Sequence, residues 1–195
     1  MNLNGPSGVF PYDYYPKIYQ KLSEENLCVP ICIKIVLETM RHRVQRIPRL
    51  TIEKIAKKIG TEADATPLGY NIENINEELI TTIPSIEFKI GWLIPKWKII
   101  CDDINLEEKL VIMAINQYDS LNNKYMKHTV VLLKANDERV VYFDPIYGEI
   151  NELTSSFYSK WEPLDRFCIR LKIGERAQRV LEEFPNISPK GVENL

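Results

Sequence analysis

The stretch CVPICIKIVLETMRHR, residues 28 to 43, constrains the fold more than any other part of the chain. Val29, Cys32, Ile33, Val36, Leu37 and Met40 recur at helical spacing on one side, and Ile31 and Ile35 cover another. A helix that is apolar around nearly its whole circumference has to be buried centrally, because no face of it can lie against water. Pro30 falls in the first turn, where its missing N–H leaves no bond unmade, and Asn26 can serve as a cap, so the helix is expected to begin at Cys28. Arg41, His42 and Arg43 complement the negative end of the helix dipole, and Cys28 lies at the positive end.

Around this helix the chain reads as α+β. Thr51, then Ile52, Ile55, Ala56 and Ile59 at helical spacing, with Gly60 as the stop, describe a short amphipathic helix. A second is expected from Asn71 to Leu79. Between Pro84 and Cys101 the pieces IEFKI and WKII read as short strands. Three stronger strand signals follow: LVIMAINQY from Leu110, HTVVLLKA opening on His128, and RVVYFDP from Arg139. The last two are joined by the polar turn Asn136-Asp137-Glu138, which makes them an antiparallel hairpin. A short helix around Ser155 to Trp161 and the strand FCIRLK complete the pattern. The expected architecture packs the Cys28 helix and smaller helices on an antiparallel sheet built from the strands near 110, 128, 139 and 167. Residues 1–27 read as an extended arm, 28–173 as the domain, and 174–195 as a surface helix with a loose tail.

Composition narrows the function classes. A hydrophobic share of 45% over 195 residues is ordinary for one globular domain. A formal net charge of −2 gives no general attraction to phosphate backbones or anionic lipid, so neither nucleic acid nor a membrane is an implied partner. The first eleven residues lack the pattern of a signal peptide, and no run of about twenty apolar residues follows, which reads as a cytoplasmic protein. Four cysteines in a chain of this length do not make a disulfide framework, so each is judged singly as a reduced thiol.

A thiol attacks carbonyl carbon only as the thiolate, which needs a helix N-terminus, a nearby imidazole, or both. Cys28 has the first by position. The chain holds only two histidines, and His42 lies about four turns down the same helix, roughly 20 Å away, leaving His128 as the base. The imidazole then needs an acceptor on its other ring nitrogen to fix the tautomer. In a hairpin made from 128 to 135 and 139 to 144, the start of one strand lies beside the end of the next, which makes Asp144 the neighbour of His128.

In this order of residues the chain resembles the papain-like cysteine peptidases, and among them the bacteriocin-processing, double-glycine-leader type and its stand-alone relatives. The resemblance is carried by NLCVPICIKIVLE, by KHTVVLLKANDERVVYFDPIYGE and by FYSKW, across roughly residues 17 to 172. It implies a papain-like fold with Cys28 as nucleophile, His128 as general base and acid, and Asp144 orienting the imidazole. It also implies a glutamine before the cysteine whose amide stabilises the oxyanion. Gln20 is the candidate, with seven residues between it and Cys28, and Asn26 is the fallback. Val29 stands where many relatives carry glycine, a departure that reads either as a narrower cleft or as a different acceptor.

The implied activity is hydrolysis of a peptide or amide bond in a peptide or protein substrate, through an acyl-enzyme and with no cofactor. The same three residues serve amidases, deamidases and acyl or glutamine transferases, and an idle domain of this fold can hold a peptide without cutting it. Cys32 reads as a core residue rather than as half of a metal pair with Cys28, since zinc would want further ligands. Cys101 and Cys168 read as packing residues, and Trp92, Trp97 and Trp161 as core or cleft-wall aromatics. Arg41, Arg43, Arg46 and Arg49 read as a solvated helix end.

Overall fold

A computed structural model describes residues 27–43, 46–61, 71–80, 86–91, 96–105, 109–119 and 123–173. The expected N-terminal arm, with Gln20 and Asn26, lies outside the described residues, as do Trp92 and the C-terminal segment beyond 173.

Helix α1 spans Cys28–Arg43, and the residues read from sequence as its apolar shell are buried on every side. Its first bond runs from the N–H of Ile31 to the carbonyl of Leu27 at 2.9 Å. The cap position therefore falls on Leu27 rather than on Asn26, and Pro30 stands at the third helical position, still among the N–H groups that have no intrahelical partner. Helix α2, Ile52–Ile59, begins on Thr51, whose hydroxyl accepts from the N–H of Lys54, and ends on Gly60 in the left-handed region at φ 77°. Helix α3 spans Glu73–Ile80.

Strands β1 (Ile86–Gly91), β2 (Val111–Asp119), β3 (Lys124–Ala135), β4 (Arg139–Asp144), β5 (Gly148–Leu153) and β6 (Cys168–Ile173) form one antiparallel sheet in the order β1-β6-β2-β3-β4-β5. Helices α1 to α3 cover one face. Helices α4 (Trp97–Asn105) and α5 (Thr154–Trp161) cover the other. Ile112, Ala114, Val131, Leu133 and Val141 pack toward α1, while Val111, Met113, Val130, Leu132 and Tyr142 pack toward α4 and α5. Because both faces are covered, these strands read as continuous apolar runs instead of alternating ones.

Three expectations are corrected. WKII opens helix α4 instead of forming a strand: Trp97, Ile100, Cys101 and Ile104 lie on one helical face in the second core, and Lys98 bonds Asp102 one turn on at 2.9 Å. The segment GEINEL is a strand, β5, which pairs with all of β4. Its alternation of polar with half-buried residues is that of an edge strand, and it carries little apolar signal. His128 does not open its strand, because β3 starts at Lys124 and runs through it.

The predicted turn is tied into both layers. The side chain of Asn136 accepts from the N–H groups of Glu138 and Arg139, and its carbonyl accepts from Trp97 of α4 and Thr154 of α5. At the far side of the sheet, the amide of Asn76 in α3 bonds both the N–H and the carbonyl of Phe88, occupying the outer edge of β1 as a neighbouring strand would. No helix among the described residues is long and apolar enough to cross a membrane.

Candidate active site

The geometry of the site follows from where β4 stops. Val131 pairs with Phe143 and Leu132 with Tyr142, so the same register carried two steps further sets Thr129 opposite Pro145. Proline has no N–H to give a partner strand. β4 ends at Asp144, and among the described residues β3 from Thr129 back toward its start keeps only β2 as a strand neighbour. The N-terminal turn of α1 docks into the vacated edge. There the thiol of Cys32 donates to the carbonyl of Thr129 at 3.3 Å, and the side chain of Cys28 comes beside His128 and Thr129.

His128 and Asp144 meet diagonally across the end of the hairpin, not directly opposite each other, since the register sets residue 130 opposite 144. The Nε2 of His128 lies 3.0 Å from Asp144 Oδ2, short in distance but bent away from the line of an ideal N–H bond. With Nε2 turned to the carboxylate, Nδ1 is the ring nitrogen left for the thiol. Asp144 is itself held: its Oδ1 accepts from the N–H groups of Ile146 at 2.7 Å and Tyr147 at 3.1 Å. This local loop, an aspartate bonding the backbone two and three residues on, turns the chain after Pro145 and fixes the carboxylate with one oxygen toward the backbone and the other toward the ring. His128 is 3% exposed and Asp144 0%, whereas Cys28 retains a solvent-facing surface.

The electrostatics favour an ion pair. Burial pushes the Cys28 thiol up, but the hydrogen bond and positive charge of His128, with the Thr129 donors, outweigh it and hold the thiol below its ordinary value. Burial opposes charge on His128 as well, yet Asp144 first and Cys28 second raise the ring to about 9. Helix α1 adds the partial positive charge of its N-terminus to the sulfur.

Cys28, His128 and Asp144 are thus brought together, from a helix start and two neighbouring strands. Cys32 is sealed in the core, and burial together with the charges of Cys28 and Asp144 pushes its thiol well up, so it stays protonated. Val29 is 4% exposed and packs into the core under α1, so its bulk does not narrow the cleft as expected. Cys168 is buried in β6, while Cys101 is only half-buried. Trp161 is buried and Trp97 packs partly buried beside it. Arg41 is paired with Glu38 at 3.0 Å rather than free in solvent. Thr129 was not singled out in the sequence; the only signal for it is that it directly follows the histidine.

No protein-family model matches the chain, and no curated protein sequence does. Solved structures do match it. A structure described as a C39-like peptidase from Bacillus anthracis superposes with a TM-score of 0.53 at 12% identity, over 77% of this chain and 91% of that one. Two others align with TM-scores of 0.48 at 16% identity. One is a double-glycine-motif protease from the AMS/PCAT transporter, in complex with the leader peptide, over 75% of this chain and 84% of that one. The other is the peptidase domain of Streptococcus ComA, a bi-functional ABC transporter of a quorum-sensing pathway, over 76% and 92%. The fold is the α+β, papain-like fold of the C39-like peptidases.

Proposed function

We propose that this protein is a cysteine-dependent hydrolase of peptide or amide bonds, with Cys28 as nucleophile, His128 as general base and acid, and Asp144 as the residue that orients and charges the imidazole. The observation that carries this reading is the meeting of Cys28, at a helix start, with a ring whose Nε2 lies 3.0 Å from a buried carboxylate, an arrangement that lowers the thiol against its own burial. A buried structural cysteine has the opposite character, as Cys32 has one turn away.

The steps balance with these residues alone. The Cys28 thiolate attacks the carbonyl carbon, and the oxyanion draws on the unbonded N–H groups at the start of α1. Gln20 is proposed as a second donor to it. Imidazolium His128 gives its proton to the leaving amine as the C–N bond breaks, leaving a thioester on Cys28. Water, deprotonated by His128, then attacks the thioester, releasing the carboxylic acid product and the thiol.

An extended peptide suits the surroundings. Ala114 turns its N–H toward Phe167 beside β6, so its cross-strand partner Thr129 turns its own backbone groups away from β2. By the same alternation Lys127 and Tyr125, both exposed, present theirs along the open edge leading to Cys28. That edge can pair with substrate backbone as an added strand.

The test is to incubate the protein with a mixed peptide library and follow new termini by mass spectrometry, beside Cys28→Ala, His128→Ala and Gln20→Ala. Cleavage that is abolished by the first two and reduced by the third is expected. Amine incorporation without hydrolysis would replace the reading by a transferase. Neither reaction, with Cys28 no more reactive toward iodoacetamide than a free thiol, would reduce it to a peptide-binding domain.

A further inference from the structure

We propose that Thr129 is a second holder of the nucleophile, its hydroxyl and its backbone N–H both donating to the sulfur of Cys28. The inference rests on the hydrolase reading above and adds to it a residue outside the Cys-His-Asp set.

Three features of the strand bring this about. Thr129 alternates with Val131 and Leu133, whose side chains pack toward α1, so its hydroxyl stands on the side where the helix begins. Its backbone N–H and carbonyl point off the strand edge, because the paired residue Ala114 faces β6 instead. Pro145, opposite it in register, has no N–H for that carbonyl and ends the strand that would otherwise cover the edge. Among the described residues the edge groups of Thr129 are met by the start of α1: Cys32 donates to the carbonyl at 3.3 Å, and the lowered Cys28 thiol accords with the N–H and the hydroxyl of Thr129 being turned toward its sulfur. Two cysteines one helical turn apart thus face the backbone of one residue, Cys32 at its carbonyl and, as proposed, Cys28 at its N–H.

The chemical consequence is that the thiolate does not depend on the imidazolium alone. Two donors on the sulfur favour its charged form and lower its tendency to recapture the proton from His128. The charged and titratable groups around the sulfur are His128 of β3, Asp144 of β4 and Cys32 of α1; of these Cys32 remains protonated, and Asp144 is turned to His128. Thr129 is 4% exposed, so its hydroxyl has little competition from water.

The readout needs no substrate. Iodoacetamide labelling of Cys28, mapped by mass spectrometry, is followed from pH 5 to 9 in wild type, Thr129→Val and Thr129→Ser. Cys32 and Cys168 are sealed, and burial lifts Cys101 to about 11, which keeps these thiols out of the acid limb. Thr129→Val keeps the shape and the backbone N–H and removes the hydroxyl. The expected result is an acid limb displaced upward by about one pH unit, so labelling at pH 6 falls about tenfold, with serine restoring most of it. Should valine not fold, Thr129→Ala removes the same hydroxyl at the cost of a small cavity. A variant lacking the hydroxyl that labels as fast as wild type at pH 6, while His128→Ala labels slowly, overturns the role of Thr129 and leaves the hydrolase reading standing. Wild type that labels no faster than a free thiol overturns both.

Discussion

Asp144→Asn separates the charge of the buried carboxylate from its shape. In the folded protein His128 is raised from 6.5 to about 9 although burial works against it, and the first cause on the raising side is Asp144. At about 1.36 kcal/mol per pH unit the net stabilisation of the imidazolium is roughly 3 kcal/mol. Asparagine removes the carboxylate charge, leaving burial to favour the neutral ring. Its amide nitrogen toward Nε2 also selects the tautomer with the proton on Nδ1, which faces the sulfur and cannot act as base. Cys28 then loses its imidazolium partner, and iodoacetamide labelling at pH 6.5 is expected to fall about 10- to 100-fold. The fold should respond differently. Asparagine keeps an oxygen for the N–H groups of Ile146 and Tyr147, whereas Asp144→Ala strips both bonds and leaves a buried cation unpaired. Urea unfolding should therefore show a loss of about 3 to 5 kcal/mol for alanine and markedly less for asparagine. Wild-type labelling in Asp144→Asn at pH 6.5 would refute the claim that this carboxylate keeps the ring charged.

Further outcomes follow from the same contacts. In Cys28→Ala, which removes both the thiol's opposing titration and the sulfur's share of the upward shift, Asp144 still raises His128, and the stability this contributes is fully present below 6.5; urea midpoints should fall as pH rises above that value and level off short of 9. Trp161 is buried and its indole N–H bonds the carbonyl of Phe167 at 2.9 Å, so Trp161→Ala should cost about 3 to 5 kcal/mol and Trp161→Phe less, measured by thermal unfolding. Asn76→Ala uncovers the N–H and carbonyl of Phe88 on the edge strand; the melting temperature should drop by several degrees and light scattering should rise on warming, whereas unchanged scattering would mean that the edge is guarded by something else.

What could be read from the letters divides along a physical line. Helix α1 was legible because burial on all sides leaves an unmistakable apolar run, and α2 because Thr51 caps it through a bond three residues long and Gly60 turns the chain so that its own N–H and that of Thr61 bond Ala56, four and five residues back. The hairpin was legible because Asn136 closes its own turn. WKII was misread because three or four apolar residues look the same in a strand and a helix; only Lys98 with Asp102 and the reach to Ile104 separate the two. β5 was missed because an edge strand exposes one face and need not be apolar. Proximity of His128 to Asp144 was foreseen from the hairpin, but not that the strand continues four residues beyond the histidine, paired there with β2. The role of Thr129 was out of reach for a different reason: it depends on an edge that only the ending of β4 lays bare.

That ending depends in turn on one inserted residue. Near the turn, Lys134 pairs with Val141 and Ala135 with Val140; past the bulge, Leu132 pairs with Tyr142, so Leu133 is the residue without an opposite number. Without it, the register set at Asn136 would run straight down the hairpin and bring Pro145 opposite Val130. Thr129 would then turn its N–H and carbonyl toward β2, and its side chain would swing to the face covered by α4 and α5. Neither Cys28 nor Cys32 would find a partner on the strand edge, however well α1 packed. On the proposed reading, the reactivity of a thiol at position 28 is therefore governed by hydrogen-bond parity at position 133, through a strand that offers the helix its backbone groups where a proline has ended its neighbour.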